Sequence, residues 1–275
     1  MPEKRVHSYP WLAAGTLILL AIAASRILRL AELPELATDE IWSIWQTLGT
    51  PGQVLAWTPY DWPPLYFLVL GGWRALVGLH PVVLRYLALL VFLLAGAVTF
   101  RVMRRLGADR SGALLGMAAY AALGYAIFVS VYVRGYMLVT LFAPLALWLA
   151  LRYFARPTLR RALPLGVTLA AMFWTTFSTV GAFVALGLFT LVVYGRQVWR
   201  WWLPGVIAAA LALPQLLSKA ELSVSRLDSV ATQQLPPLGQ ALAELYSAYT
   251  ANAPLVWAAI LILAGASLVL LSFVR

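Results

Sequence analysis

Residues 62–78, WPPLYFLVLGGWRALVG, decide how the chain is threaded. The stretch is apolar enough to look like a membrane span. Its apolar part, Leu65 to Val77, is 13 residues long. At ~1.5 Å per residue, a helix of that length covers roughly 20 Å, short of the ~30 Å hydrocarbon core. Pro63 and Pro64 open the stretch, and Gly78 and Pro81 close it. This pattern predicts a helix that lies half-buried at the membrane interface and does not cross.

The rest of the chain tests that choice. Further apolar runs fall at about 11–24, 82–102, 111–131, 137–154, 162–178, 180–195, 203–217 and 254–274, which gives eight predicted spans with both ends cytoplasmic. With 62–78 not crossing, Lys4, Arg5, Arg101, Arg104, Arg105, Arg110, Arg152, Arg156, Arg160, Arg161, Arg196, Arg200 and Arg275 share one side, with only Glu3 and Asp109 among the acids. Were 62–78 to cross, the clusters RRLGADR, RYFARPTLRR and GRQVWRWW would face outward, against the positive-inside rule. Two large segments then lie outside, at about 31–81 and 218–253. For the first run, a signal peptide with AIA at 21–23 as its cleavage site is the competing reading. Arg275 stands at the end of an apolar run, and the expectation is a single domain over 1–275 whose C-terminal part is missing.

Composition fits this all-α, polytopic architecture. Of 275 residues, 63% are hydrophobic and 11% charged, where a soluble domain carries about a quarter charged. The runs are continuous, without the alternation of a barrel strand. The net charge of +10 reflects cytoplasmic arginines and gives no reason to invoke nucleic acid. No cysteine is present, so disulfides and thiolate metal sites are excluded. His7 and His80 have no metal-ligand spacing.

The first external segment carries the candidate chemistry. In LATDEIWSIWQTLG, 36–49, Ile41, Trp42, Ile44, Trp45 and Leu48 share one helical face, opposite Ser43, Gln46 and Thr47. That is an interfacial helix, the first of two in this segment. Asp39 and Glu40 open it. Acids there complement the helix dipole. They can also supply a general base, and partial burial against Trp42 and Trp45 is expected to make the base stronger.

Arg134, in the outer turn SVYVRGYML (130–138), and Arg85, at the outer end of the next span, run against the charge trend. Each can snorkel, pair with the acidic segment as a structural ion pair, or bind a lipid phosphate through its guanidinium fork. Tyr60, Trp62, Tyr66 and Tyr136 are interfacial aromatics that could also stack on a sugar, and the turn WTTFST (174–179) offers hydroxyls. In this assignment no charged residue lies near a span centre, which weighs against ion-coupled transport.

These segments together resemble the GT-C fold glycosyltransferases that use polyprenyl-phosphate sugars, of the protein O-mannosyltransferase-like group (glycosyltransferase family 39 type). LRLAELPELATDEIWSIW (28–45) is similar to the family's first external loop with its acidic pair. DWPPLYFLVLGGWRALVG (61–78) is similar to its HPPLYY-type segment, LRYLALLVFLL (84–94) to its arginine-led span, SVYVRGYML to its SQEARMY turn, and LPPLGQALAELY (235–246) to a proline-led helix in a later loop. The resemblance implies a transferase that moves a sugar from a polyprenyl-phosphate donor to an acceptor hydroxyl by inverting displacement on the extracytoplasmic face. It implies Asp39 as catalytic base with Glu40 assisting, and Arg134 and Arg85 toward the lipid phosphate or the acidic loop. Asp61, Trp62, Tyr66, Tyr132, Tyr136 and Thr176 are the expected sugar contacts. Trp62 stands where the family's HPP motif has histidine, Tyr132 where the turn has glutamate, and Thr176 where a histidine is common. These departures leave a divalent metal without support, and leave an altered substrate or an inactive member open. A lipid or solute transporter and a non-catalytic lipid-phosphate-binding protein of the same fold are the alternatives. The acceptor is unspecified.

Overall fold

The computed structural model of the protein describes residues 9–33, 35–57 and 62–231, with seven more between 237 and 247. The described residues form helices and no strand. Four stretches among them are long and apolar enough to cross a membrane: Ala13–Leu30, Pro81–Arg105, Tyr136–Ala155 and Val180–Leu217. The protein is therefore an all-α, multi-pass membrane protein.

Helix α1, Tyr9–Glu32, runs past Arg26 and Arg29, where the sequence placed its end. Arginine is a good helix former, and Arg29 bonds Glu32 at 3.1 Å in the last turn, where a cation also meets the helix dipole. Three short helices follow: α2 (Thr38–Trp45), α3 (Pro51–Trp57) and α4 (Leu65–Val77). The segment 31–81 thus holds one more helix than the two expected. Helix α4 has the bounds its apolar run suggested.

Helix α5, Pro81–Arg105, is the central strut and packs against α1, α4, α6 and α8. The span expected at 111–131 is two pieces, α6 (Arg110–Ala122) and α7 (Gly124–Val129). Leu123 between them is extended, with ψ 125°, and Gly124 behind it is a poor helix former. Helix α8, Tyr136–Ala155, packs on α5 and on α9, Leu159–Phe173. Helix α10, Val180–Tyr194, ends at Gly195, whose φ of 54° needs glycine. A 3₁₀ turn, Gly195–Trp201, leads into α11, Trp202–Ala231. This last helix continues well into the expected loop at 218–253, because the polar residues after Leu217 include good helix formers. The rest of that loop, apart from scattered residues, and the span at 254–274 lie outside the described residues.

Long-range hydrogen bonds define the two ends of the bundle. At one end, the Leu65 N–H donates to the Trp174 carbonyl at 3.0 Å, and the Val133 N–H reaches Glu40. At the other, the Tyr153 hydroxyl donates to the Arg200 carbonyl at 3.0 Å, and Arg161 to the Arg152 carbonyl at 2.8 Å. The acids Asp39 and Glu40 sit at the first end, and Arg152, Arg156, Arg160, Arg161 and Arg200 cluster at the second.

Candidate functional site

Helix α2 turns its polar face inward. Glu40, Ser43, Gln46 and Thr47 are buried, together with Ile44, whereas Ile41, Trp42, Trp45 and Leu48 are exposed. A helix lying on lipid does this, since its greasy side has the bilayer and its polar side must find partners in the protein. Ile44 thus lies on the buried side, not with the tryptophans. Arg74 of α4 holds the helix down by donating to the Thr47 carbonyl at 2.8 Å.

Adjacent acids on such a helix point in different directions. Glu40, 1% exposed, points in and meets Arg85, 3% exposed. Arg85 Nε donates to Glu40 Oε1 at 3.0 Å, and Nη2 to Oε2 at 2.6 Å. The Ala37 N–H gives a third bond at 2.9 Å and the Val133 N–H a fourth at 3.0 Å. A carboxylate has about four acceptor positions, so Glu40 is fully used. Arg85 also donates to the carbonyls of Glu35 (2.8 Å) and Leu33 (3.3 Å). The two residues clamp α2 and α5 to each other and to the 130–135 turn. Glu40 has no lone pair left to assist a proton transfer, which corrects that expectation. Of the two partners the sequence left open to Arg85, the lipid phosphate and the acidic loop, it meets the acidic loop.

Asp39 points out, with its side chain 57% exposed. It is not buried against Trp42 and Trp45. Those rings pack edge-on with each other, centroids 5.6 Å apart, on the exposed side. The partner of Asp39 is Arg134, whose Nη2 lies 3.9 Å from Oδ2 and whose Nη1 donates weakly to the Asp39 carbonyl at 3.4 Å. The Arg134 guanidinium lies 4.3 Å over the Trp62 ring and 5.8 Å from that of Tyr136. Trp62 stacks in turn on Phe67 at 6.0 Å. Aromatic faces fix the plane of the cation and leave its N–H edges for an in-plane acceptor.

Those edges border a cavity of about 270 Å³ at the junction of α2, α4 and the two outer turns. Ser43, Trp62, Tyr66, Phe67, Arg134 and Gly135 are among its lining residues, with Tyr136, Thr175 and Thr176 opposite. Of the expected sugar contacts it gathers Trp62, Tyr66, Tyr136 and Thr176. Tyr132 lies elsewhere in the turn, packed on Phe128. Asp61 lies outside the described residues. Thr175 belongs to the 174–179 turn whose hydroxyls the sequence offered; Ser43, Pro63, Phe67 and Gly135 were missed. Gly135 carried a signal in its position beside Arg134. A Cβ there would lie 3.3 Å from Tyr66 Cβ, so glycine lets the turn close over the ring.

Tyr66 is 2% exposed, and its hydroxyl has no hydrogen-bond partner among the described residues. Burial holds the phenol well above its ordinary range, with Arg134 opposing and Glu40 adding to the rise. It therefore stays protonated, a donor with nothing to donate to. No group of three or more His, Cys, Asp or Glu able to hold a metal occurs among the described residues. A larger cleft of about 430 Å³ between α9, α10 and α11 is lined by apolar side chains alone and offers no group for chemistry. Comparisons of the chain with family models, with curated proteins and with solved structures find no match. The chemistry of the site is left to its geometry.

Proposed function

We propose that the protein is a membrane glycosyltransferase that moves a sugar from a polyprenyl-phosphate donor to an acceptor hydroxyl on the extracytoplasmic face. The observation that carries this reading is the half-exposed Asp39 carboxylate beside an aromatic-held Arg134 guanidinium at the rim of a polar cavity. Asp39 takes the proton of the acceptor hydroxyl. The oxygen attacks the anomeric carbon, the bond from that carbon to the phosphate oxygen breaks, and configuration inverts. Arg134 meets the charge that grows on the leaving polyprenyl phosphate. Glu40 and Arg85 are positioning residues, holding the first turn of α2 and the turn that carries Arg134.

The assay is sugar transfer from a short-chain polyprenyl-phosphate sugar by the purified chain in lipid. Asp39→Asn is expected to lower turnover at least about 100-fold. Turnover unchanged in that variant sinks the base assignment. One observation favours a second reading. Asp39 and Arg134 stand in contact, not apart across a sugar. A non-catalytic protein that binds a lipid phosphate at Arg134 needs no such separation. Stable lipid-phosphate binding without any transfer selects that reading.

A further inference from the structure

Tyr66, which lines the same cavity as Arg134, carries a donor that the proton-transfer scheme does not use. Ser43 and Thr175 line the same space, but their hydroxyls already donate, to the Asp39 carbonyl at 2.9 Å and the Ala171 carbonyl at 2.7 Å. The Tyr66 hydroxyl has no hydrogen-bond partner among the described residues, although it is buried. A buried donor left unpaired is destabilising and is retained where something pairs with it. Arg134 is likewise under-used. Among the described residues, its guanidinium makes a 3.4 Å hydrogen bond to the Asp39 carbonyl and a 3.9 Å ion pair with the Asp39 carboxylate, out of five N–H groups that it offers.

We infer that Tyr66 and Arg134 form one anion subsite, in which the Tyr66 hydroxyl donates to a phosphoryl oxygen whose neighbouring oxygen is held by the Arg134 fork. A phosphoryl group suits the pair because its several oxygens can meet a fork and a second donor at once. Gly135 favours the subsite, since a Cβ there would crowd Tyr66 at 3.3 Å and ask the ring or the turn to shift slightly. The inference deepens the proposed function and rests on its placing of the phosphate at Arg134. It adds the residue that grips the phosphate from below.

The test titrates two probes separately against the purified full chain in detergent: a short-chain polyprenyl phosphate, followed by native mass spectrometry, and inorganic phosphate, followed by thermal shift. Wild type, Tyr66→Phe and Arg134→Gln are compared. Tyr66→Phe keeps the ring and removes only the unpaired hydroxyl. It is expected to leave the ligand-free melting temperature equal or raised, and to weaken phosphate binding about tenfold. If only the lipid binds wild type and loses affinity in the variant, the phosphoryl group is a lipid headgroup. The same loss with inorganic phosphate alone identifies the free anion. Lipid binding lost in Arg134→Gln and unchanged in Tyr66→Phe overturns the inference and leaves the proposed function standing. A Tyr66→Phe protein that melts lower yet binds as wild type also overturns it, by showing a structural hydrogen bond. No binding of either probe to wild type removes both.

Discussion

Asp39 and Glu40 are chemically almost the same residue, and the fold gives them opposite tasks. One turn of α2 sends Glu40 into four hydrogen bonds and leaves Asp39 half in water beside Arg134. Removing one partner of a buried pair strands the other charge. Glu40→Ala is therefore expected to cost about 3–5 kcal/mol in chemical unfolding, whereas Asp39→Ala should cost well under that. Replacing Glu40 and Arg85 together by leucine and methionine should recover much of the loss, because no stranded charge remains. The sequence showed that acids open this helix and that an ion pair with an outward arginine was one option. It could not show which acid pairs. That depends on which face of α2 meets protein, and a helix lying on lipid reverses the usual rule of greasy side in.

At the scale of elements, the long helices were legible and their breaks were not. The bounds of α4 and α5 follow their apolar runs and flanking prolines. The interruption at Leu123 and the continuation of α11 follow local helix propensities that a reading of apolar runs does not weigh. The close packing of α9 on α11 is not written in composition at all. Gly166 of α9 lies so near α11 that a Cβ would sit 2.6 Å from Ile207 Cγ2 and 2.9 Å from the Pro204 carbonyl. Small residues allow such approach between membrane helices. Gly166→Ala is expected to lower stability by about 1–3 kcal/mol, read as a drop in thermal midpoint in detergent. Helix α6 begins differently, on a cap. Asp109 accepts from the Ser111 hydroxyl at 2.6 Å and the Gly112 N–H at 2.7 Å, and these bonds, the Ser111 one foremost, hold its carboxyl below the usual range. A depressed carboxyl stabilises the fold above its unfolded value and loses that contribution as pH falls through the folded one. Amide exchange at 112–114, corrected for intrinsic rate, should therefore quicken in mild acid, and Asp109→Ala should show the faster exchange at every pH.

For the molecule as a whole, charge separates along the bundle axis, with the acids and the cavity at one end and the arginine clusters at the other. That separation makes orientation testable in a chain that has no cysteine of its own. In intact cells, a membrane-impermeant maleimide should label Pro51→Cys, and should label Thr158→Cys only after permeabilisation. The opposite pattern would place the cavity on the cytoplasmic side and end the extracytoplasmic reading. Positive-inside counting made the two ends visible from sequence. The convergence of 39–43, 62–67, 85 and 133–136 was not visible, because it joins segments far apart along the chain. The clamp has a consequence for biogenesis. Glu40 leaves the ribosome 45 residues ahead of Arg85 and 93 ahead of the Val133 amide that completes its shell. Until the nascent chain has delivered both, only the Arg74 bond to the Thr47 carbonyl can tie α2 down, the Glu40 clamp is incomplete, and Asp39 and Arg134 cannot meet. The latch closes only on a protein inserted at least as far as α8, so a stalled or mis-threaded chain exposes an undocked α2 to quality-control proteases, while a correctly inserted one hides it.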